Sequence, residues 1–108
     1  MLPSHSGGRR PTYDLELVQQ LIGQGPLSCL ITVAAREGAR DCGFSEPDDI
    51  DEVILALSPA NFYKTMEAEK CPGRWQDVYH SEFYGVELYI KLQINSAGTA
   101  VVVQFKRR

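Results

Sequence analysis

Residues 86–94 read VELYIKLQI, and the alternation is unbroken: Val86, Leu88, Ile90, Leu92 and Ile94 fall on one side of an extended chain, and Glu87, Tyr89, Lys91 and Gln93 on the other. A period of two is the signature of a β-strand, whose side chains leave alternately from opposite faces of a sheet. Asn95-Ser96-Ala97-Gly98 then supplies a hairpin turn and residues 99–107, TAVVVQFKR, a second strand. Alternation in that strand predicts Val101, Val103 and Phe105 on one side, with Ala100, Val102, Gln104 and Lys106 on the other. Upstream, after the Cys71-Pro72-Gly73 turn, RWQDVYH is equally rich in β-formers. An antiparallel meander with one aliphatic face must be covered by something.

The N-terminal half provides the cover. Leu15, Val18, Leu21 and Ile22 recur at helical spacing, with Thr12 or Asp14 as cap and Gly23 or Gly25 as stop. LSCLI predicts a brief strand. Thr32 caps a second helix through Ala34, Ala35 and Ala39 that ends at Cys42-Gly43. Ser45-Glu46-Pro47-Asp48-Asp49 reads as a third helix start, with Ile50, Val53, Ile54 and Leu57 as its buried stripe. Ser58-Pro59 repeats the cap-plus-proline signal and predicts a short helix holding Phe62, Tyr63 and Met66. Helices first and a meander last make an α+β domain, expected over residues 9–108. Residues 1–8, MLPSHSGG, offer almost nothing to bury and are expected to be a disordered leader or an expression remnant.

With 108 residues there is material for one core. No apolar run approaches the ~20 residues of a membrane span, and no short hydrophobic segment follows Arg9 and Arg10 as it would in a secretory signal. The expected place is the cytoplasm, with no membrane contact. Cys29, Cys42 and Cys71 are odd in number and widely spaced, which predicts reduced thiols, two of them buried. His5 lies in the leader, so a metal site would rest largely on His80, and neither metal nor cofactor is expected. The net charge of −3 is unevenly spread: residues 1–60 hold four basic and nine acidic side chains, residues 61–108 seven basic and five acidic. A basic face can bind phosphate on an acidic protein, because charges beyond ~10 Å are largely screened.

The alternation leaves one sheet face with Tyr89, Lys91, Gln104 and Lys106, too polar for a core. Strands lie about 4.8 Å apart, so side chains of three strands can converge on one phosphate-sized volume. Taken alone, such a strand is more simply a solvated face. Phe62, Trp75 and Phe105 read as core, while Tyr63 and Tyr79 stand evenly between core and base stacking.

PTYDL, FYK-x-M, WQDVYH, LYIK and the terminal FK, in that order and spacing, resemble the MqsR (motility quorum-sensing regulator) toxins over about residues 9–108. The resemblance implies a compact RelE-like fold. It also implies a type II toxin that cuts messenger RNA as a metal-independent endoribonuclease, at short GC-containing sequences. A cognate MqsA-like antitoxin, a helix-turn-helix DNA-binding protein with a zinc module of its own, would neutralise it; the free toxin is expected to be a monomer. Positions tied to activity in the family fall on Lys64, Gln76, Tyr89 and Lys106, and Tyr63 matches another. Arg74, His80, Lys91 and Arg107 complete the expected RNA-binding set.

Metal-free RNA cleavage needs a base at the 2′-hydroxyl, an acid at the leaving 5′-oxygen and donors for the phosphorane. In this reading Lys64 and Lys106 clamp phosphate, Tyr89 takes part in proton transfer and Gln76 orients the backbone. His80 is a second candidate acid, or else a strand-end His bonded to a carbonyl. Asp77 is structural, since a bare carboxylate repels phosphate. One departure from the family pattern stands out: Glu67-Ala68-Glu69-Lys70 replaces a polar Thr- and Tyr-containing run, which predicts two negative charges near the RNA path. The competing readings are a non-catalytic toxin-fold protein that binds only antitoxin or operator, and a thiol enzyme built on Cys71, for which no partner His is identifiable.

Overall fold

The computed structural model describes residues 10–108, so the leader expected over residues 1–8 lies outside the described residues. Helices α1 (Leu15–Gly23), α2 (Val33–Asp41) and α3 (Pro47–Leu55) pack on a five-stranded sheet of β1 (Cys29–Ile31), β2 (Phe62–Ala68), β3 (Cys71–Phe83), β4 (Val86–Ile94) and β5 (Ala100–Arg107). The strand order is β1-β5-β4-β3-β2. The fold is α+β as expected, with one difference: β2 to β5 form an antiparallel meander, but β1 lies parallel to β5 on the far edge, so the sheet is mixed. The parallel strand is the one separated from its partner by helices and meander, the long crossover that parallel pairing requires.

Local chemistry sets the helix ends. Asp14 caps α1, its Oδ1 accepting from the Glu16 N–H at 3.1 Å. The Thr32 hydroxyl accepts from the Ala35 N–H at 3.0 Å at the start of α2. Gly43, at φ +94°, closes α2: its N–H donates to the Arg40 carbonyl at 3.0 Å and the Phe44 N–H to that of Ala39 at 2.8 Å, the paired bonds of a Schellman end. Asp49 reaches back to the Glu46 N–H at 3.1 Å ahead of Pro47.

Two expectations are overturned. Phe62, Tyr63 and Met66 lie in strand β2, not in a helix. The Ser58-Pro59 signal yields a single 3₁₀ turn, Pro59–Asn61, closed by the Ser58 N–H donating to Asn61 Oδ1 at 2.8 Å. FYKTMEA then pairs along the otherwise open edge of β3, and tertiary pairing overrides the local helix start. In β5 the alternation changes phase. Leu92 pairs with Val102 but Lys91 with Gln104, so Val103 is bulged out. Ala100 and Val102 therefore face the core before the bulge and Phe105 after it. The bulge carbonyl is not left unpaired: Thr32 Oγ1 donates to it at 2.7 Å.

Val18, Ile22, Ile50, Val53 and Ile54 from the helices meet Tyr79, Leu88, Ile90, Leu92, Val102 and Phe105 from the sheet, each at most 3% exposed. Side chains of this size contribute about 1.5–3 kcal/mol each when fully buried. The segment before α1 is tied to the same layer through Asp77, whose two carboxylate oxygens accept from the Thr12 and Tyr13 N–H groups at 2.9 and 2.8 Å. Tyr13 adds a bond from its hydroxyl to the Trp75 carbonyl at 2.7 Å. A buried carboxylate holding two amides is satisfied in place.

Candidate active site

The face of the sheet away from the helices is a grid whose coordinates follow from register. One row across the strands is His80, Tyr89 and Lys106; the next is Lys64, Val78, Lys91 and Gln104. A third holds Met66 and Gln76 on β2 and β3, then Gln93 and Val101 on β4 and β5. Rows are two residues apart, about 7 Å, and neighbours within a row about 4.8 Å. Val78 is fully buried although it lies on this face, flanked in register by Lys64 and Lys91, whose aliphatic stems can cover it while the ammonium groups stay wet.

Three rings line the top row. Tyr63, at the register irregularity of β2, stacks on His80 with centroids 4.1 Å apart and planes 19° off parallel, and His80 stands 6.0 Å from Tyr89. Ammonium groups sit against these rings: Lys64 Nζ 5.7 Å from the Tyr63 centroid, Lys91 Nζ 5.9 Å and Lys106 Nζ 5.1 Å from that of Tyr89. Among the described residues the one ion pair is Arg108 with Glu87 at 3.7 Å, so the three lysines face solvent without carboxylate partners.

The electrostatics separate the titrating groups. Burial, then the charges of Arg108 and Lys64, hold the His80 imidazole below its ordinary range, so it stays neutral at neutral pH and can accept a proton. Burial, then Tyr63, pushes the Tyr89 phenol up, so it keeps a proton to give. Burial lowers Lys91, and the charges of Lys106 and Lys64 add to that against the opposing pull of Glu69.

Of the nine residues singled out from sequence, this face brings together Tyr63, Lys64, His80, Tyr89, Lys91 and Lys106. Gln76 stands two rows from Tyr89, about 13–14 Å along the strands, where its Nε2 donates to Gln93 Oε1 at 2.9 Å. Arg74 lies at the same end, lining a depression with Gln76. Arg107 is not brought in: it pairs with Leu88 and leaves on the helix-bearing face. Arg108 was not among the site residues expected from sequence, yet His80 feels its charge, and Gln93, which alternation places on this face, was not among them either. The phase of alternation in β4 and β5 was the signal for both.

Glu67 is also removed from the expected RNA path. It pairs with Trp75 on the helix-bearing side, and its carboxylate accepts from the Gly73 N–H at 2.8 Å, bracing the β2–β3 turn. Tyr79 belongs to the core at 1% exposure, whereas Tyr63 is 57% exposed. Of the cysteines, Cys42 alone is buried; Cys29 is half-buried, its thiol pushed up to about 11 by burial and then Asp51, and Cys71 is exposed. Two buried thiols were expected, but only Cys42 lies inside the helix–sheet layer. Among the described residues no three His, Cys, Asp or Glu side chains gather as a metal site, and no helix is long and apolar enough to cross a membrane.

Comparison with known proteins bears on the same residues. The chain is 29% identical over 100 residues to the mRNA interferase toxin MqsR of Escherichia coli (strain K12), covering 93% of this chain and 97% of that protein. A family model described as motility quorum-sensing regulator, toxin of MqsA, matches residues 10–107, nearly all of the chain and all of the strands that carry the ring-and-lysine grid. The chain therefore belongs to the motility quorum-sensing regulator toxin family.

Proposed function

We propose that the polar sheet face is the active site of an endoribonuclease that cuts messenger RNA without a metal ion, acts in the cytoplasm and is held in check by a cognate MqsA-like antitoxin. One observation carries the reading: three lysines without carboxylate partners among the described residues converge on a line of rings, one of them neutral and free to accept a proton, another still holding a proton to give. The naming of the relative as an mRNA interferase supports it.

RNA brings its own nucleophile. The 2′-hydroxyl attacks the adjacent phosphorus in line, forming a 2′,3′-cyclic phosphate and expelling the 5′-oxygen. His80 takes the 2′-hydroxyl proton, since its environment disfavours the imidazolium until chemistry supplies a phosphorane beside it. Tyr89 gives its proton to the departing 5′-oxygen. Lys64 and Lys106 offset the charge gathering on the non-bridging oxygens, the largest electrostatic demand of the reaction. Gln76, two rows away, holds the neighbouring stretch of backbone. Tyr63 offers an exposed face on which a base can stack, worth about 1–3 kcal/mol per base.

The test is incubation of the purified chain with a long defined RNA in EDTA, with cut sites and end groups mapped and Lys64→Ala and Tyr89→Phe alongside. The expected outcome is cuts at a short recurrent sequence with 5′-hydroxyl ends, lost in both variants. Intact RNA from folded protein would sink the catalytic reading and leave a toxin-fold protein that binds without cutting.

A further inference from the structure

The face that carries the ring-and-lysine grid continues past the His80 row. One row nearer the β3–β4 turn stand Glu82 and Glu87, directly opposite each other, with Arg108 beside Glu87. Phe83 and Val86 close a two-residue turn in which Tyr84 has φ +51° and Gly85 φ +82°, the two left-handed positions of a type I′ hairpin. So short a turn fixes the register, and the two carboxylates cannot slip apart. The Glu87 carbonyl accepts from the Arg108 N–H at 2.9 Å, so it points away from β3. Glu82 and Glu87 are therefore a non-hydrogen-bonded pair, the kind whose side chains lie closer together.

Like charges directly opposite each other on a sheet are destabilising. Arg108 offsets one of them, 3.7 Å from Glu87, while Glu82 has no cation partner among the described residues. The row carries one net negative charge, about 7 Å from Tyr89 and Lys106. On the other side of Tyr89 the sign reverses. Lys64 and Lys91 come first, then Lys70 and Arg74, against the single carboxylate of Glu69. A phosphate at Tyr89 and Lys106 has two neighbours along its strand, and one row is within the reach of one nucleotide. One neighbour meets Lys91 and the other meets the carboxylates. A unit charge at 7 Å changes the binding of a phosphate about threefold even at the dielectric constant of water.

Resting on the endoribonuclease reading above, we infer that Glu82 and Glu87 close the RNA path at the His80 row, so that the protein holds RNA on one side of the reacting phosphate only. The strand lies over Lys91 and the Gln76 end of the sheet, reaches Tyr89 and Lys106, and leaves the surface there. The two products then part unequally: one stays on the cations, and the other is held by nothing beyond the row that released it.

The experiment measures binding of an RNA whose attacking hydroxyl is replaced by hydrogen at the mapped cut, shortened from its 5′ end in one series and from its 3′ end in another. At one end, wild type is expected to be indifferent, within about twofold, to every nucleotide beyond the reacting linkage. At the other end it should weaken about fivefold per phosphate removed, the worth of unit charges 4 Å apart in water. In Glu82→Gln, RNA extending past the linkage on the indifferent side should bind about threefold tighter, and RNA trimmed to the linkage as it does to wild type. Glu82→Lys should also steepen the log–log salt slope by about 0.7, one more phosphate contacted. Glu52→Lys, the same change of charge on α3, should leave the slope as in wild type.

Equal losses from both ends in wild type, or no gain for extended RNA in either Glu82 variant, overturns the closed path. If ordinary RNA is cut nowhere, the nuclease reading falls alone. The salt slopes are then read on 2′-fluoro RNA, where a steeper slope in Glu82→Lys upholds the closed path and an unchanged one overturns it as well.

Discussion

Gly38 lies in α2 where the helix crosses β5, and replacing it with alanine sets two known effects against each other. In an isolated helix the change would stabilise by about 1 kcal/mol. Here the added Cβ would lie 2.0 Å from the Phe105 carbonyl oxygen, 3.1 Å from its carbon and 3.3 Å from Lys106 Cβ. Carbon and oxygen settle at about 3.3–3.6 Å, so helix and strand must separate by more than about 1 Å. Both are backbone, and no rotamer change relieves the contact. β5 is also paired to β4 through Phe105 and Lys106 and to β1 through Ala100–Val102, so it cannot drift alone.

Overpacking of this kind costs about 1–3 kcal/mol, and with rigid partners the upper end applies. After the propensity gain, a net loss of about 2 kcal/mol is expected, a drop in Tm of roughly 8–16 °C at about 4–8 °C per kcal/mol. Thermal unfolding followed by circular dichroism measures it. RNA cutting, assayed well below both midpoints, should fall too, because the displaced segment carries Lys106. A Tm equal to or above the parent's would refute the claim that α2 is seated on β5 through the missing side chain.

Cutting should rise with pH through a midpoint below 6.5, because burial, Arg108 and Lys64 all disfavour protonated His80 and keep the accepting form to lower pH. The acid limb should vanish from the pH–rate profile of His80→Gln. Removing the carboxylate in Asp77→Ala strands the Thr12 and Tyr13 N–H groups, and a stability loss of about 2–4 kcal/mol in urea unfolding is expected, with Asn in its place losing less. Binding of uncleavable single-stranded RNA should weaken with added salt, with a log–log slope of about −0.7 per phosphate contacted, shallower by about that amount in Lys91→Ala.

The motifs were legible from sequence because they serve fold and site at once. In PTYDL, Thr12 and Tyr13 are hooked by Asp77, Asp14 caps α1 and Leu15 is buried. In WQDVYH, Asp77 and Tyr79 point into the core while Gln76, Val78 and His80 point to the polar face. Alternation in β4 showed both faces at a glance. What stayed hidden was non-local. Nothing near FYKTMEA announces that β3 needs an edge partner, and its helix-like start is a single 3₁₀ turn. The bulge at Val103 is stabilised by Thr32, 71 positions away, so simple alternation mis-phased Ala100 and Val102. Glu67 looked like a charge in the RNA path because only the fold shows it bound to the Gly73 amide.

The same grid constrains how the proposed active residues combine. Lys106 and Tyr89 are register partners, with Nζ 5.1 Å from the ring, and Tyr89 in turn is the register partner of His80. Gln76 is two rows off, so in the proposed mechanism it acts on the adjoining nucleotide and not on the phosphorus set between Tyr89 and Lys106. Groups acting on one transition state are non-additive, whereas sites more than about 7–10 Å apart without shared partners add within about 0.5 kcal/mol. A double-mutant cycle of Tyr89→Phe with Lys106→Ala, read as kcat/KM on a short RNA, should therefore show a coupling of about 1–3 kcal/mol. The cycle of Gln76→Leu with Lys106→Ala should be additive within about 0.5 kcal/mol. Equal coupling in both cycles would mean that bound RNA draws Gln76 onto the same phosphate, and the sheet would then be a pliable surface rather than the fixed grid that its register describes.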